Sequence, residues 1–600
     1  MREQWLAALA AHVHRLEQQL NPDVALDPGM LETARRLYEV LGDDEGDLTA
    51  WHTLGMYYVH RQFGHVTRDE RVSSEELDLV EECLGRCFAA GLDVPDYMLS
   101  IAAAGAADPA RRMMAAAMRY PDAEPLTEVA RLWQRIIAAV GVDEPARPTY
   151  LLNLSAALAL RFERTQELAD LDAAVTIGRQ GWETAADDDE NLAVMANHVG
   201  NALCVRFDHI GVIADLDGAI GVFDRALRVI ARTDPERPDL LSLQSGALAA
   251  RFGQTGNRAD LERAMAAGRE AVEGSAPDSA DLTSILLRFG EVARRGFEQT
   301  QDTASLEAAI DAYRSALDRT RGPEDDSLRA QCLSCLGNVL LNRYLMSAQA
   351  EDLELAERTG REAVALAAES DPARGIYLNN LGVTLKTHTD RGGSLAQVQE
   401  VIAVFEESLA VLPDGSPIRG LCLANLGSAN WDRFMRTREA EDLEAAIALT
   451  RQALATLPDG SPARANVWEV RAAAFSERHS RTRDAADLDE ALSAGRQAVA
   501  MLPEGHAFRA RTLRILGGVL LDGYGDIRDA ALLDEAVAVS RQASEAALDG
   551  SLEQLLTWQN LAAAVGDRFH RDGTAADLHE AVGLFRRAAE ASDGGAADNG

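Results

Sequence analysis

The 600 residues carry 59 Lys and Arg against 96 Asp and Glu, a formal charge of −37 spread along the chain. A field of that sign repels a phosphate backbone, so the composition argues against nucleic acid as a partner and permits a basic protein segment. Apolar residues make up 47% and aromatics only 5%, a balance that suits closely stacked helices better than sheets.

The chain opens with MREQWLAALAAHVHRLEQQL, whose apolar stretch contains charges and His and lacks a small-residue cleavage site. Neither a signal peptide nor a membrane span fits, so the expectations are a cytoplasmic address and no membrane partner. The six cysteines lie inside helical patterns and form no disulfide framework. Residues 48–100 read as a degraded helical unit: Leu54 and Gly55, Arg61 and Phe63, a widened turn at VTRDERVSS, then Leu77 and a helix ending near Gly91. Residues 101–140 are helical in pattern but follow no repeat. The region 1–147 is therefore predicted to be a divergent N-terminal cap, whose outer face must meet water.

From 148 to 592 a ruler appears. Leu171, Leu216, Leu261, Leu306, Leu353, Val398, Leu443, Leu488, Leu533 and Leu578 stand 45 residues apart, with one step of 47. Three residues after each comes a small residue (Ala174, Ala219, Ala264, Ala446, Ala491 among them), and a second small residue follows seven further on, as at Ala226, Ala453 and Ala498. Two helical turns separate the pair, so both lie on one face, where a neighbouring helix can approach closely. Upstream, apolar residues at offsets 0, 3, 7 and 11, as in Leu151, Leu154, Leu158 and Phe162, or Leu513, Leu516, Leu520 and Tyr524, mark another helix. We call these helices B and A. Between B and the next A lies a phrase such as LPDGSP, in which Pro413 and Pro458 end one helix and Gly415 and Gly460 turn the chain. Ser416 and Ser461 are expected to cap the next helix, with Pro417 and Pro462 at its first position. A single hairpin cannot hide its apolar stripe, whereas stacked hairpins can. The predicted fold is thus all-α, an α-solenoid (superhelix) of ten stacked antiparallel helical hairpins, followed by a flexible tail at 593–600.

Leu426, Gly427, Ala446, Ala453 and Pro458 resemble the signature of the tetratricopeptide repeat (TPR). That family's unit is about 34 residues, so about 11 extra fall between Gly427 and Ala446. The insert holds a recurring Arg-Phe, Thr, Asp-Leu phrase, as in RFERTQELADL and RFMRTREAEDL. This long form resembles the TPR arms of actinobacterial and fungal proteins that carry a CHAT domain, a caspase-like protease module. HEAT-like helical repeats are the alternative fold.

Catalytic patterns are not found. The CxxC at Cys332 and Cys335 lies mid-helix without a second zinc-spaced pair, Cys83 and Cys87 lack a nearby His, and HExxH, GxxxxGK[ST] and GxGxxG after a strand do not occur. His198, His209, His388, His479 and His570 occupy different repeat positions. The expectation is no enzyme, no metal and no cofactor. The recurring Arg161, Arg206, Arg251, Arg343, Arg433, Arg478 and Arg568 are expected to bond to a carboxylate or helix end within the scaffold. In TPR proteins the concave face is lined by A-helix positions around the Leu-Gly pair. Carried over, these are Asn197, Asn201, Arg288, Glu291, Arg294, Asn338, Asn379, Lys386, Trp431 and Arg514. Such residues suit an extended peptide held by its backbone and an anchor side chain. The family's carboxylate clamp is matched by Asn338 and Asn380, but Ser334 stands where a Lys belongs. The chain closes on an ordinary B helix, DLHEAVGLFRRAAEA, which suggests a missing downstream domain, self-association or partner docking through the last repeat. Two functions follow: a protein- or peptide-binding scaffold, or the regulatory arm of a CHAT-type protease system in bacterial defence.

Overall fold

The computed structural model describes the chain except residues 43, 45, 323, 324, 507 and 598–600, with the side chains of 592–597 also outside the description. Among the described residues the regular structure is helical, with no strand. Two compact units divide between Ser305 and Leu306. Unit 1 begins with α1 (Arg2–Gln18), α2 (Pro22–Ala25), α3 (Pro28–Leu41), α4 (Leu48–Thr67) and α5 (Ser74–Ala89). After a 3-10 turn at Asp96–Met98 come α6 (Leu99–Gly105), α7 (Ala107–Ala117) and α8 (Glu124–Ala139). Hairpins follow: α9 (Arg147–Thr165) with α10 (Leu168–Thr184), α11 (Leu192–Ile210) with α12 (Ile213–Val229), α13 (Arg237–Thr255) with α14 (Arg258–Gly274), and then α15 (Leu282–Thr300).

After α16 (Thr303–Arg319), unit 2 continues as paired helices: α17 (Asp326–Ser347) with α18 (Ala350–Leu366), α19 (Arg374–Thr389) with α20 (Leu395–Val411), and α21 (Arg419–Thr437) with α22 (Ala440–Thr456). The last pairs are α23 (Ala463–Thr482) with α24 (Ala485–Ala500), α25 (Arg509–Ile527) with α26 (Ala530–Ala546), and α27 (Leu552–Asp572) with α28 (Ala575–Ala597). The last helix runs beyond Ser592 into the segment read as a tail, and 598–600 lie outside the described residues. Within each unit an A helix packs on its own B helix and on the A helix of the next hairpin. The fold is all-α, a stack of antiparallel helical hairpins.

The apolar stripe explains the stacking. Leu151, Leu154, Leu158 and Phe162 are buried, as are Leu513, Leu516, Leu520 and Tyr524, and Leu333 is only 1% exposed. Each such side chain contributes about 1.5–3 kcal/mol on burial. Ala174, Ala219, Ala264, Ala356, Ala446, Ala491 and Ala536 have no exposed surface, so the helices meet where side chains are smallest. At Gly200 contact is closer still, because a Cβ there would fall on the ring of Phe223.

Both kinds of turn are held by repeated bonds. Each A helix that ends at Gln166, Gly211, Gly256, Gln301, Ala348, Arg438, Arg483, Arg528 or Gly573 places that residue in the left-handed region. Its N–H donates to the carbonyl four residues back, which closes the helix. At the other turn an Arg early in the A helix reaches back to the preceding B helix. Arg237 donates to the Leu227 carbonyl (2.9 Å), Arg419 to Leu409 and Leu412 (2.9 and 3.0 Å), and Arg464 to Leu454 and Leu457 (2.9 and 2.8 Å). A cation there satisfies bare carbonyls and complements the helix dipole. The capping expected of Ser416 and Ser461 does not occur. Helices α21 and α23 start later, at Arg419 and Ala463, without a side-chain cap, because the LPDGSP phrase forms two successive backbone turns.

The Arg of the Arg-Phe phrase does bond within the scaffold, to the Asp of its own Asp-Leu phrase nine residues on. Arg251 grips Asp260 at 2.9 and 2.7 Å, Arg343 grips Asp352 at 2.9 and 2.7 Å, and Arg478 grips Asp487 at 3.0 and 2.7 Å. Arg161–Asp170, Arg206–Asp215, Arg433–Asp442 and Arg568–Asp577 repeat the pair. Where the Arg is absent the Asp is absent too: Gly296 with Ser305, His388 with Gln397, and Gly523 with Leu532. The carboxylates are nearly inaccessible while the guanidiniums keep an edge in water, so the bidentate geometry offsets the desolvation of the acid.

Candidate functional site

In unit 1, α11, α13 and α15 lie side by side and turn one face outward together. On α11 that face carries Asn197, Asn201, Cys204 and Asp208; on α13 Leu243, Gly246, Ala250 and Gly253; on α15 Arg288, Glu291 and Arg295. Successive members are three or four residues apart, the spacing of one helix face. Between the helices lies a cavity of about 490 Å³, floored by Phe207, Leu216, Leu243, Ala247 and Val292. It is open where α13 places two glycines on its outer face, Gly246 and Gly253. At Gly246 and Gly253 a Cβ would meet nothing within 4 Å, and neither residue has a positive φ. Glycine mid-helix costs about 0.5–1 kcal/mol relative to alanine, and here neither packing nor backbone conformation requires it. Its effect is a trough.

The polar groups around the trough differ in how they are held. Asp239 on α13 accepts from Asn197 Nδ2 (2.5 Å) and Arg288 Nη1 (3.5 Å), and Arg288 also donates to Ser242 Oγ (3.2 Å). Glu291 accepts from Arg294 (2.8 and 2.7 Å) and from Arg295 (2.8 Å). Burial pulls its carboxyl upward, but the bonds from Arg294 and then Arg295 outweigh that and hold it below its ordinary value. Asp208 makes no hydrogen bond among the described residues, and burial pushes its carboxyl above its ordinary value against the pull of Arg295. Burial also pushes the Cys204 thiol up to about 12, so the wall it forms is neutral. The amides of Asn201 and Gln254 likewise make no side-chain hydrogen bond among the described residues.

Of the residues expected at the site, Asn201, Arg288 and Glu291 line the cavity, and Asn197 sits beside it on Asp239. Arg294 turns to Glu291 and Glu298, and its neighbour Arg295 lines the cavity instead. The other candidates belong to unit 2 and are distributed over α17, α19, α21 and α25. Asn338 is half-buried on α17. Asn379 is buried and accepts from Asn425 Nδ2 (3.2 Å). Lys386 pairs with Asp390 (3.0 Å) and Asp432 (2.7 Å). Trp431 packs on Phe434 with ring centroids 5.4 Å apart, and Arg514 donates to Glu553 (2.6 Å).

Several of these bonds join successive A helices at an offset of 46 residues. Ser334–Asn380 (3.0 Å), Asn379–Asn425, Lys386–Asp432 and Ser476–Asp522 (2.9 Å) form such rungs. The Ser334–Asn380 rung engages one Asn of the clamp pattern with the residue at the Lys position. Asp208, Gln254, Cys204 and Arg295 were not anticipated, yet extending the stripe from Asn197 and Asn201 by the same three-four spacing reaches Cys204 and Asp208. The cysteines form no disulfide, and among the described residues no group of three His, Cys, Asp or Glu side chains could hold a metal. No helix among them is long and apolar enough to cross a membrane.

No protein-family model matches the chain, and no curated protein matches it. Solved structures do align. Human IFIT1 dimer with PPP-AAAA aligns at 14% identity and TM-score 0.38, covering 88% of this chain and 97% of that one. Human IFIT1 dimer with m7Gppp-AAAA aligns at 14% identity and TM-score 0.39, covering 84% and 98%. The APC/C hetero-tetramer Cut9–Hcn1 aligns at 11% identity and TM-score 0.33, covering 98% and 95%. At scores this low the alignments carry no argument about what this chain binds. The exclusion of nucleic acid drawn above from net charge is nonetheless withdrawn, IFIT1 being solved with oligonucleotides. Charge summed over a long chain does not determine the local field of one groove, because ions screen charges beyond roughly 8 Å.

Proposed function

We propose that the protein is a non-enzymatic, cytoplasmic binding scaffold that holds an extended protein segment along the A-helix face of unit 1. One observation carries the reading: in the α11–α13–α15 trough, polar side chains without hydrogen bonds stand above an apolar floor. A peptide backbone supplies donors and acceptors to such side chains, and its apolar side chains cover the floor. The division into a cap at 1–147, a repeat array at 148–592 and a tail belongs to this reading, as do roles for Asn338, Asn379, Lys386, Trp431 and Arg514 farther along the array. No feature of the described residues favours the alternative drawn from the CHAT resemblance.

The test is a peptide array probed with the full chain and with Gly246→Trp, whose Cβ would meet nothing within 4 Å and whose ring is meant to occupy the trough. Peptide capture that Gly246→Trp abolishes supports the reading. Capture unaffected by the plug, or binding of a single-stranded oligonucleotide that the plug blocks while peptides are ignored, overturns it.

A further inference from the structure

We propose that the trough of unit 1 receives one cationic side chain, an Arg or Lys of the bound peptide, with Asp208 as its counter-ion. The proposal rests on the peptide-groove reading above and assigns the chemistry of its anchor.

The argument is one of charge balance at close range. Two cations line the cavity, Arg288 and Arg295. Both are engaged by the protein itself: Arg288 by Asp239 and Ser242, and Arg295 by Glu291. Two carboxylates line it as well. Glu291 is gripped by two guanidiniums, which leaves it little capacity for a ligand. Asp208 has none of this. It stands at the end of the α11 stripe on the open side of the cavity, solvent-exposed, and its carboxylate makes no hydrogen bond among the described residues. A guanidinium or ammonium placed there would give that free carboxylate a charge-assisted hydrogen bond.

The rest of the lining suits the same guest. Asn201, seven residues before Asp208 on α11, and Gln254 on α13 face the cavity with amide oxygens that can accept from a guanidinium or from peptide N–H groups. Leu243, Ala247 and Ala250 form an apolar path beneath them, along which the aliphatic stem of Arg or Lys can lie while its charged end reaches Asp208. Cys204, with its thiol kept neutral by burial, adds no competing charge. The volume, about 490 Å³, leaves room for the flanking backbone.

The probe is an acetylated, fluorescein-labelled peptide of alternating alanine and arginine, compared by anisotropy with the same peptide carrying citrulline, which keeps the shape and loses the charge. The expected result is roughly tenfold tighter binding of the arginine peptide at about 0.15 M salt. Asp208→Asn should abolish that preference without lowering the thermal midpoint. Asp278→Asn, which removes one charge from an exposed loop, should leave it intact. A preference that survives Asp208→Asn, or that falls equally with Asp278→Asn, overturns the proposal. Displacement by free spermidine at concentrations as low as those of the peptide assigns the pocket to a polyamine and overturns the peptide source. If Gly246→Trp leaves peptide binding unchanged, the groove reading itself fails; if it abolishes binding while Asp208→Asn does not, only the role of Asp208 fails.

Discussion

The A-helix face of unit 1 and that of unit 2 are built from the same residue types, used differently. In unit 2 the polar side chains bond from one A helix to the next, through Ser334–Asn380, Asn379–Asn425, Lys386–Asp432 and Ser476–Asp522. Unit 1 has such bonds too, Asn197–Asp239 and Arg288–Ser242, but beside them its face opens into a trough where Asn201, Asp208 and Gln254 have no such partner. Burial raises the carboxyls of Asp432 and Asp522 as it raises that of Asp208. The first two, however, are contacted by Lys386 and Ser476. A polar residue on a repeat surface is therefore informative only together with its bonds. The engaged ones are struts between hairpins, and the unengaged ones are where a ligand would gain most.

The largest effect that would break this distinction lies in the struts. Arg478→Met strands the buried Asp487, at a cost of about 3 kcal/mol in urea unfolding. Adding Asp487→Leu should recover most of the loss, because Leu532 already stands at the equivalent position and packs against Gly523. A double variant as unstable as the single one would mean that the pair does more than satisfy itself. Lys386→Met should cost about 2 kcal/mol, since Asp432 then has burial without its counter-ion. A cost-free Lys386→Met would place Lys386 among the unengaged groups and make it a second site candidate.

Substitutions in the trough should run the other way. Gly246→Ala is expected to stabilise by about 0.5–1 kcal/mol, measured by the urea midpoint, while weakening peptide capture. Asp208→Asn should raise stability slightly at pH 7. The folded-state value of Asp208 lies above its unfolded one, so the folded chain binds the extra proton, and this group's contribution falls as pH rises. The advantage of the variant should therefore close as pH drops into the ordinary carboxylate range. An advantage that grows on acidification would show that Asp208 is a strut after all.

The smallest expected effect concerns the N-terminal bundle, where burial lowers the imidazoles of His12 and His60. With folded values below the ordinary one of about 6.5, their contribution is complete above that pH and is lost as pH falls through and below it. His60→Gln should flatten this slope in thermal melts at pH 5 to 7, a window set by roughly the same reference value.

Much of the fold was legible, because helix periodicity and small-residue contacts are local facts of the sequence. Leu151, Leu333 and Leu513 announce their burial by spacing alone. The helix starts at Arg419 and Ala463 depart from the caps expected at Ser416 and Ser461, since Ser-Pro can cap a helix or simply turn the chain, and here it turns. The site was legible in part. Asn201, Arg288 and Glu291 followed from position, and Asp208 lay on the same stripe within reach of the same rule. What spacing could not show is which polar side chain bonds to its counterpart 46 residues away. That depends on how two A helices are staggered, which no single repeat encodes.

The Arg and Asp of each clamp belong to one hairpin, as with Arg433 and Asp442 or Arg478 and Asp487. Gain or loss of a whole hairpin, such as α23 with α24, would bring or remove both charges of its clamp at once and leave neither buried alone. For these clamps, lengthening or shortening the array by complete cassettes strands no charge, whereas recombination within a hairpin does; a pair that joins two hairpins, such as Lys386–Asp432, is split when either hairpin is lost.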